Sequence, residues 1–207
     1  MIEILQAMPS ERFAAFMVGA LVVNLAPGQD MVFATACGVQ GGPRVGALAG
    51  LGAGTGVLWH ITLAALGVSA LIAAHPEALD AIRWVGAAYL LYLAVSAWRA
   101  GGTLVPGRGV PSGRRAFLRG ILSNVLNPKP VLFILAFLPQ FVDPAMGPVW
   151  KQVVALGLVF AFSGTLVTMG YGAIAGYAGQ ALAARMGVVN KLAAVLFFGL
   201  ALRLATE

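Results

Sequence analysis

The sequence is poor in charge, in cysteine and in the side chains that hold metal ions. Only 10% of its 207 residues are charged, whereas about 25% is typical of a soluble domain. Cys37 is the only cysteine, which excludes a disulfide framework. The two histidines and seven acidic residues form no HExxH or paired-acid motif, and one cysteine cannot form CxxC. We therefore expect no enzyme, no metal site and no cofactor.

Hydrophobic side chains make up 60% of the chain. One aqueous core cannot bury that much apolar surface, because a small domain leaves much of its area exposed. Disorder is excluded as well, since disordered chains are poor in hydrophobic residues. The composition predicts an all-α membrane protein. Glycines at four-residue spacing, namely Gly42, Gly46, Gly50 and Gly54, predict close helix packing.

Six apolar segments can cross a bilayer, which takes about 20 mostly apolar residues. Two of them, 13–39 and 117–142, are interrupted by proline. The four continuous segments are 45–76, 84–98 with a start near Ala78, 152–184 and 188–205. An alternative with five spans makes the first segment a surface hairpin and places the N-terminus on the opposite side of the membrane.

The net charge of +6 is explained by membrane orientation, and we expect no nucleic-acid partner. With six spans, eight Lys and Arg residues fall on one face and four on the other, while Lys129 lies within a span. Cytoplasmic loops carry the excess of Lys and Arg. This asymmetry predicts that the loop between the third and fourth spans is cytoplasmic and that both termini face outward.

A shift of the sequence by 101 positions pairs Pro27 with Pro128 and Phe16 with Phe117. Both prolines interrupt an apolar span, which favours a duplication within one membrane domain. Three spans in each copy would insert the second copy upside down. Two inverted three-helix repeats, each with its first helix broken at proline, are typical of secondary transporters. The predicted boundaries are 12–98 for repeat 1, 99–115 for a cytoplasmic linker and 116–205 for repeat 2.

The second interruption is Asn127-Pro128-Lys129-Pro130. Proline breaks a helix, Asn127 is a good N-cap and Pro128 suits the first helical position. The free N–H groups of this half-helix are predicted to hold an anionic group such as a carboxylate. A lysine at the bilayer centre costs about 2.5–3.5 kcal/mol, which favours a functional role for Lys129. Alternatively, Lys129 extends to the membrane interface.

The first interruption is Ala26-Pro27-Gly28-Gln29-Asp30. We expect a helix to restart at the proline and Gly28 to permit close approach of a ligand. Asp30 is expected to pair with a substrate ammonium, to pair with Lys129 or to carry a proton; alternatively it caps the half-helix. His60, within the second span, relays protons or is a hydrogen-bonded packing residue.

Both interruptions resemble the LysE/RhtB family of bacterial amino-acid exporters, and the resemblance covers nearly the whole chain. The family usually has Pro-Gly-Pro in the first motif, where this sequence has Gln29 in place of the second proline. The residues that carry the resemblance are Ala26-Pro27-Gly28-Gln29-Asp30, a glycine series from Gly38 to Gly56, Gly86-Ala87-Ala88-Tyr89-Leu90, Asn127-Pro128-Lys129 with Phe133, and Leu138-Pro139-Gln140-Phe141-Val142.

The resemblance implies export of amino acids across the bacterial inner membrane, driven by the proton gradient or the membrane potential. Few acids lie inside the spans, which favours small neutral substrates such as homoserine, threonine or leucine, although basic amino acids stay open. Protons and lipid are the other expected partners, and a homo-oligomer is open. The implied binding positions are Pro27, Gly28, Asp30, Asn127, Pro128 and Lys129, with Gln29 added on local chemistry and with Asp30 and His60 as candidates for proton coupling.

Two other functions are open. A metal or inorganic-ion transporter would use the same scaffold, but divalent cations prefer clustered carboxylates and Asp30 is the only acid well inside a span. A membrane-embedded enzyme would need Asp30 and His60 to be adjacent, with a serine in reach.

Overall fold

The computed structural model describes residues 2–74, 78–100 and 109–206, and these residues form helices without any strand. The prediction of an all-α membrane protein is confirmed. The helices are α1 Ile2–Ala7, α2 Ser10–Leu25, α3 Gln29–Gly41, α4 Pro43–Ala74, α5 Ala78–Arg99, α6 Gly113–Val125, α7 Pro128–Ala136 and α8 Val149–Thr206, with short 3-10 turns at Leu138–Phe141 and Pro144–Met146.

The last helix, α8, is two spans joined by a kink. Its 58 residues would extend about 87 Å at 1.5 Å per residue, far beyond a hydrocarbon core of about 30 Å. Ala178 has non-helical backbone angles (φ −146°, ψ 48°), and the chain bends there. We call Val149–Gly179 and Arg185–Thr206 the first and second halves of α8.

Up to five spans are found among the described residues if each bent helix pair counts as one, and the predicted total of six stays a prediction. By length and composition, α4 and both halves of α8 can each cross a membrane, and so can two bent pairs, α2 with α3 (50°) and α6 with α7 (47°). The remaining long helix, α5, has 22 residues and packs on α8. The inverted relation between 12–98 and 116–205 stays a prediction, and residues 101–108 of the linker lie outside the described residues.

Glycines bring α3, α4 and α8 into backbone contact. A Cβ atom on Gly172 would lie 2.3 Å from the carbonyl oxygen of Gly46, and one on Gly38 would lie 2.0 Å from the carbonyl oxygen of Gly172. Gly50 and Gly54 also face α8. The packing predicted from the glycine spacing is confirmed there. Gly42 is different, because it ends α3 at a positive φ of 84° with open space beside it.

A column of phenylalanine rings fills the core between α2, α7 and α8. The ring centroids lie 4.7 Å apart from Phe160 to Phe133, 4.7 Å from Phe133 to Phe137 and 4.8 Å from Phe137 to Phe141. Phe16 of α2 meets Phe141 edge-on at 5.5 Å. Such ring pairs add about 0.5–1.5 kcal/mol each beyond their buried area. The column fixes α7 against α2 and α8.

The loop between α7 and α8 is held by the fully buried side chain of Gln152. Its Nε2 atom donates to the carbonyl oxygens of Asp143 (2.7 Å) and Gly147 (3.0 Å), and its Oε1 atom accepts from the backbone N–H of Asp143 (3.0 Å). Asp143 also accepts from the backbone N–H of Ala145 and pairs with Arg12 at 3.3 Å. These two contacts, the backbone bond first, lower the pKa of the Asp143 carboxyl.

Replacing Gln152 with leucine is expected to destabilise the protein strongly. The change removes three hydrogen bonds, and each buried group left unpaired costs about 1–3 kcal/mol. Thermal unfolding of the detergent-solubilised protein measures the loss. Lys151→Leu, at an exposed neighbouring position, is the matched control, and equal melting temperatures for the two variants would contradict the role given to Gln152.

Candidate functional site

The second helix break lies at mid-height in the bundle. Asn124, near the end of α6, packs against Gly56 and His60, which flank the middle of α4. A Cβ atom on Gly56 would lie 2.8 Å from the Cβ atom of Asn124, and His60 Nε2 lies 2.9 Å from its carbonyl oxygen. Irregular backbone at this depth is tolerated only inside protein or beside a wet cavity. The break therefore marks an internal site.

In the first break the chain leaves α2 at Leu25 and enters α3 at Gln29. The prediction that a helix restarts at Pro27 is wrong by two residues, because Gly28 is extended (φ −161°, ψ −177°) and is the N-cap of α3. Any residue can adopt that conformation, so Gly28 serves a steric purpose. A Cβ atom there would lie 3.2 Å from Lys129 Cδ. A close approach to Gly28 was predicted for a ligand. In the structure the end of the Lys129 side chain makes this approach instead.

In the second break α7 begins at Pro128, as predicted. The Asn127 side chain caps it by accepting from the backbone N–H of Lys129 at 3.0 Å. The Asn127 N–H donates to the carbonyl oxygen of Asn124, while Pro128 and Pro130 have no N–H. The N–H groups of residues 127 to 130 are therefore absent or paired. They do not offer the free donors that the predicted carboxylate site needs, whereas the Lys129 ammonium keeps free hydrogens nearby.

Asp30 joins the first break to the second. Its Oδ1 atom accepts from Ser123 Oγ (2.9 Å), and its Oδ2 atom accepts from Asn124 Nδ2 (2.7 Å) and Asn127 Nδ2 (2.8 Å). The predicted pairing with Lys129 does not occur, since no ion pair joins the two among the described residues. Nor does Asp30 cap its own helix, because α3 has no side-chain cap. The carboxylate is surrounded by neutral donors.

Lys129 of the second break bonds to the first break, and Gln29 beside the first break bonds to a residue beside the second. Lys129 Nζ donates to the carbonyl oxygen of Ala26. Gln29 Nε2 lies 3.3 Å from the carbonyl oxygen of Ser123 and 3.4 Å from its Oγ. The alternative in which Lys129 extends to the membrane interface is wrong, because its ammonium ends at the other break. An ammonium has three hydrogens, and two remain for a ligand.

His60 lies behind this site. The side chain is 3% exposed, and its Nε2 must carry the hydrogen because the carbonyl oxygen of Asn124 can only accept. Nδ1 is buried without a hydrogen-bond partner. His60 reaches Asp30 only through Asn124. This geometry favours the packing alternative, and a proton relay stays a hypothesis.

A small cavity lies between the two breaks and the neighbouring helices. The volume open to the centre of a water molecule is about 50 Å³, so the cavity has room for water. Of the predicted positions, Gly28, Asp30, Asn127 and Lys129 line it, whereas Pro27, Gln29 and Pro128 do not. Its other lining residues are Val23, Asn24, Ala26, Met31, Ala53, Gly54, Val57, Asn124, Pro130, Phe160, Gly164 and Thr168.

Sequence reasoning missed three polar residues at this site: Asn24, Ser123 and Asn124. Asn24 and Asn124 line the cavity, and Ser123 holds Asp30. A signal was present, because an amide within an apolar span must find a partner, and both asparagines lie within four residues of a break proline.

Comparisons with known proteins agree on one family. The family model described as LysE type translocator matches residues 21–207. An uncharacterized membrane protein of Vibrio cholerae is 34% identical, with 93% of this chain and 95% of that protein aligned. A homoserine/homoserine lactone efflux protein of Salmonella typhimurium is 32% identical (92% and 94%), and a leucine efflux protein of Salmonella choleraesuis is 34% identical (92% and 93%). No solved structure matches this chain.

Proposed function

This chain belongs to the LysE type translocator family, and from that premise we propose that it exports small neutral amino acids. The resemblance found in the sequence is thereby confirmed. The protein is a multi-pass protein of the bacterial inner membrane, and it is a transporter rather than an enzyme. The observation that carries the proposal is the cavity that places one carboxylate and one ammonium on opposite helix breaks.

The charges of this cavity suit a zwitterion. The substrate ammonium approaches Asp30, and the substrate carboxylate takes the two free hydrogens of the Lys129 ammonium. When the cavity is empty, Ser123, Asn124 and Asn127 compensate the Asp30 charge, and Ala26 accepts from Lys129. Substrate and protein donors therefore compete for the same two charged groups.

The remaining lining favours a neutral side chain. Asp30 is the one carboxylate among the described lining residues, so a second substrate ammonium would lack a counter-charge. The same shortage argues against a divalent cation, which prefers several carboxylates. Two relatives are named for efflux of homoserine and leucine, and both of these amino acids are neutral. Coupling to the proton gradient or the membrane potential, with Asp30 or His60 as the proton carrier, belongs to the same proposal.

Purified protein in proteoliposomes should move labelled homoserine and leucine more readily than lysine, and a pH gradient should change the flux if protons are coupled. Lys129→Met keeps the packing of the stem but removes the ammonium. It should lower the flux at least about tenfold, since a charge-assisted hydrogen bond is worth about 1.5–3 kcal/mol.

Protein-free liposomes are the control, and the N-acetyl and methyl ester derivatives should compete poorly. Absence of amino-acid flux with or without a gradient would overturn the proposal. Flux of a divalent cation such as Mn²⁺ instead would favour the inorganic-ion alternative.

A further inference from the structure

The cavity has further polar lining that the proposed ammonium and carboxylate contacts leave unused. It is built by Asn24 in the last turns of α2 and by Gly164 and Thr168 in the first half of α8. The Thr168 hydroxyl donates to the carbonyl oxygen of Gly164 at 2.9 Å within its own helix. The Asn24 amide and the acceptor lone pairs of the Thr168 oxygen are therefore the groups of this lining that can contact a ligand.

Hydrogen bonds fix the orientation of the Asn24 amide. Nδ2 donates to the carbonyl oxygen of Phe160 at 3.2 Å and to Ser163 Oγ at 3.0 Å. The single hydrogen of Ser163 is directed at the carbonyl oxygens of Val159 and Phe160, so its oxygen accepts from Asn24. Both amide hydrogens are used. A reversed amide would place its oxygen against the carbonyl oxygen of Phe160.

This orientation leaves the amide oxygen of Asn24 as an open acceptor. A Cβ atom on Gly164 would lie 2.7 Å from Oδ1, so the glycine keeps the space beside that oxygen free. No donor among the described residues forms a hydrogen bond with Oδ1. The nearby lining residues Val23 and Val57 offer only apolar contact.

We propose that Asn24 determines side-chain specificity by accepting a hydrogen bond from a hydroxyl group of the transported amino acid. The inference rests on the proposed function and deepens it. A hydroxylated neutral side chain satisfies Oδ1, whereas an aliphatic side chain of the same shape displaces water from it and leaves it unpaired. Sites built for a hydroxyl group discriminate strongly against analogues that lack it, for this reason.

Homoserine and norvaline test the proposal, because they differ only by a hydroxyl group in place of a methyl group. Wild-type protein in proteoliposomes should prefer homoserine. Asn24→Leu removes the acceptor and should shift the homoserine-to-norvaline flux ratio about tenfold towards norvaline, as expected for one unpaired buried group. Thr55→Val is the matched control: it removes a hydroxyl group on the exposed side of α4, outside the cavity lining, and its ratio should stay close to that of the wild type.

Gly164→Ala provides a second variant should Asn24→Leu fail to fold. Its new methyl group fills the space beside Oδ1 and should also reduce the preference for homoserine. A wild-type ratio in the folded Asn24 or Gly164 variants would overturn the assignment of Asn24 while the proposed export stands. Absence of flux of both amino acids from wild-type protein would overturn the proposed function and this assignment with it.

Discussion

Replacing Asp30 with asparagine is expected to abolish export while leaving the protein folded. An asparagine at this position can keep its oxygen towards Asn124 and Asn127, and its NH₂ group can donate to Ser123, whose hydroxyl accepts as well as donates. The three contacts of the carboxylate then persist in neutral form. What is lost is the negative charge that attracts the substrate ammonium.

Export of homoserine or leucine by the Asp30→Asn protein should fall by about 100-fold or more, because losing one partner of a buried charge pair costs about 2–5 kcal/mol. The melting temperature should change far less. Flux in proteoliposomes and thermal unfolding in detergent measure the two effects separately. Asp143→Asn, a carboxylate in the α7–α8 loop, is the control and should export normally. Undiminished export by Asp30→Asn would remove Asp30 from the binding site.

Replacing Gly172 with alanine is expected to prevent stable packing of the bundle. The added methyl group would lie 2.3 Å from the carbonyl oxygen of Gly46. Backbone atoms cannot turn aside as a side-chain end can, so α4 and α8 must separate. Overpacking typically costs about 1–3 kcal/mol, occasionally more, and we expect this contact to lie at the upper end of that range or beyond it.

The control for this variant lies two residues away on the same helix. A Cβ atom on Gly170 would meet nothing within 4 Å, and alanine is favoured over glycine in a helix by about 1 kcal/mol. Gly170→Ala should therefore be neutral or slightly stabilising. The yield of monodisperse protein after detergent extraction and its melting temperature distinguish the two variants. Similar values for both would show that the close approach of α4 and α8 is not required for stability.

Local chemistry allowed the breaks to be predicted from the sequence, whereas the contacts between them were not predictable. Proline and a capping asparagine act within a few residues, so the start of α7 at Pro128 was correctly placed. The donors to Asp30 lie 93 to 97 positions away. No periodicity encodes which polar groups of two distant segments meet. The pairing of Asp30 with neutral amides instead of Lys129 therefore emerged only from the fold.

Two further differences have local causes. Pro130 and the Asn127 cap remove N–H groups that a half-helix starting at Pro128 would otherwise offer. Asn24 carries no charge and lies outside the proline motif itself, so neither signal indicates it. An uncharged amide in an apolar helix is subject to the same requirement for a partner, and here that requirement orients it across to α8.

Pro128 and Pro130 also restrict the bend between α6 and α7 more than Pro27 restricts the bend between α2 and α3. Straightening α6 and α7 into one rod would require amide hydrogens at these positions for the carbonyl oxygens of Asn124 and Leu126, and proline supplies none. A continuous α-helix through this bend would leave both carbonyl oxygens without an α-helical backbone donor. The N-terminal bend has Pro27 alone, followed by three residues that keep their amides. Proline therefore restricts the angle between α2 and α3 less than the angle between α6 and α7.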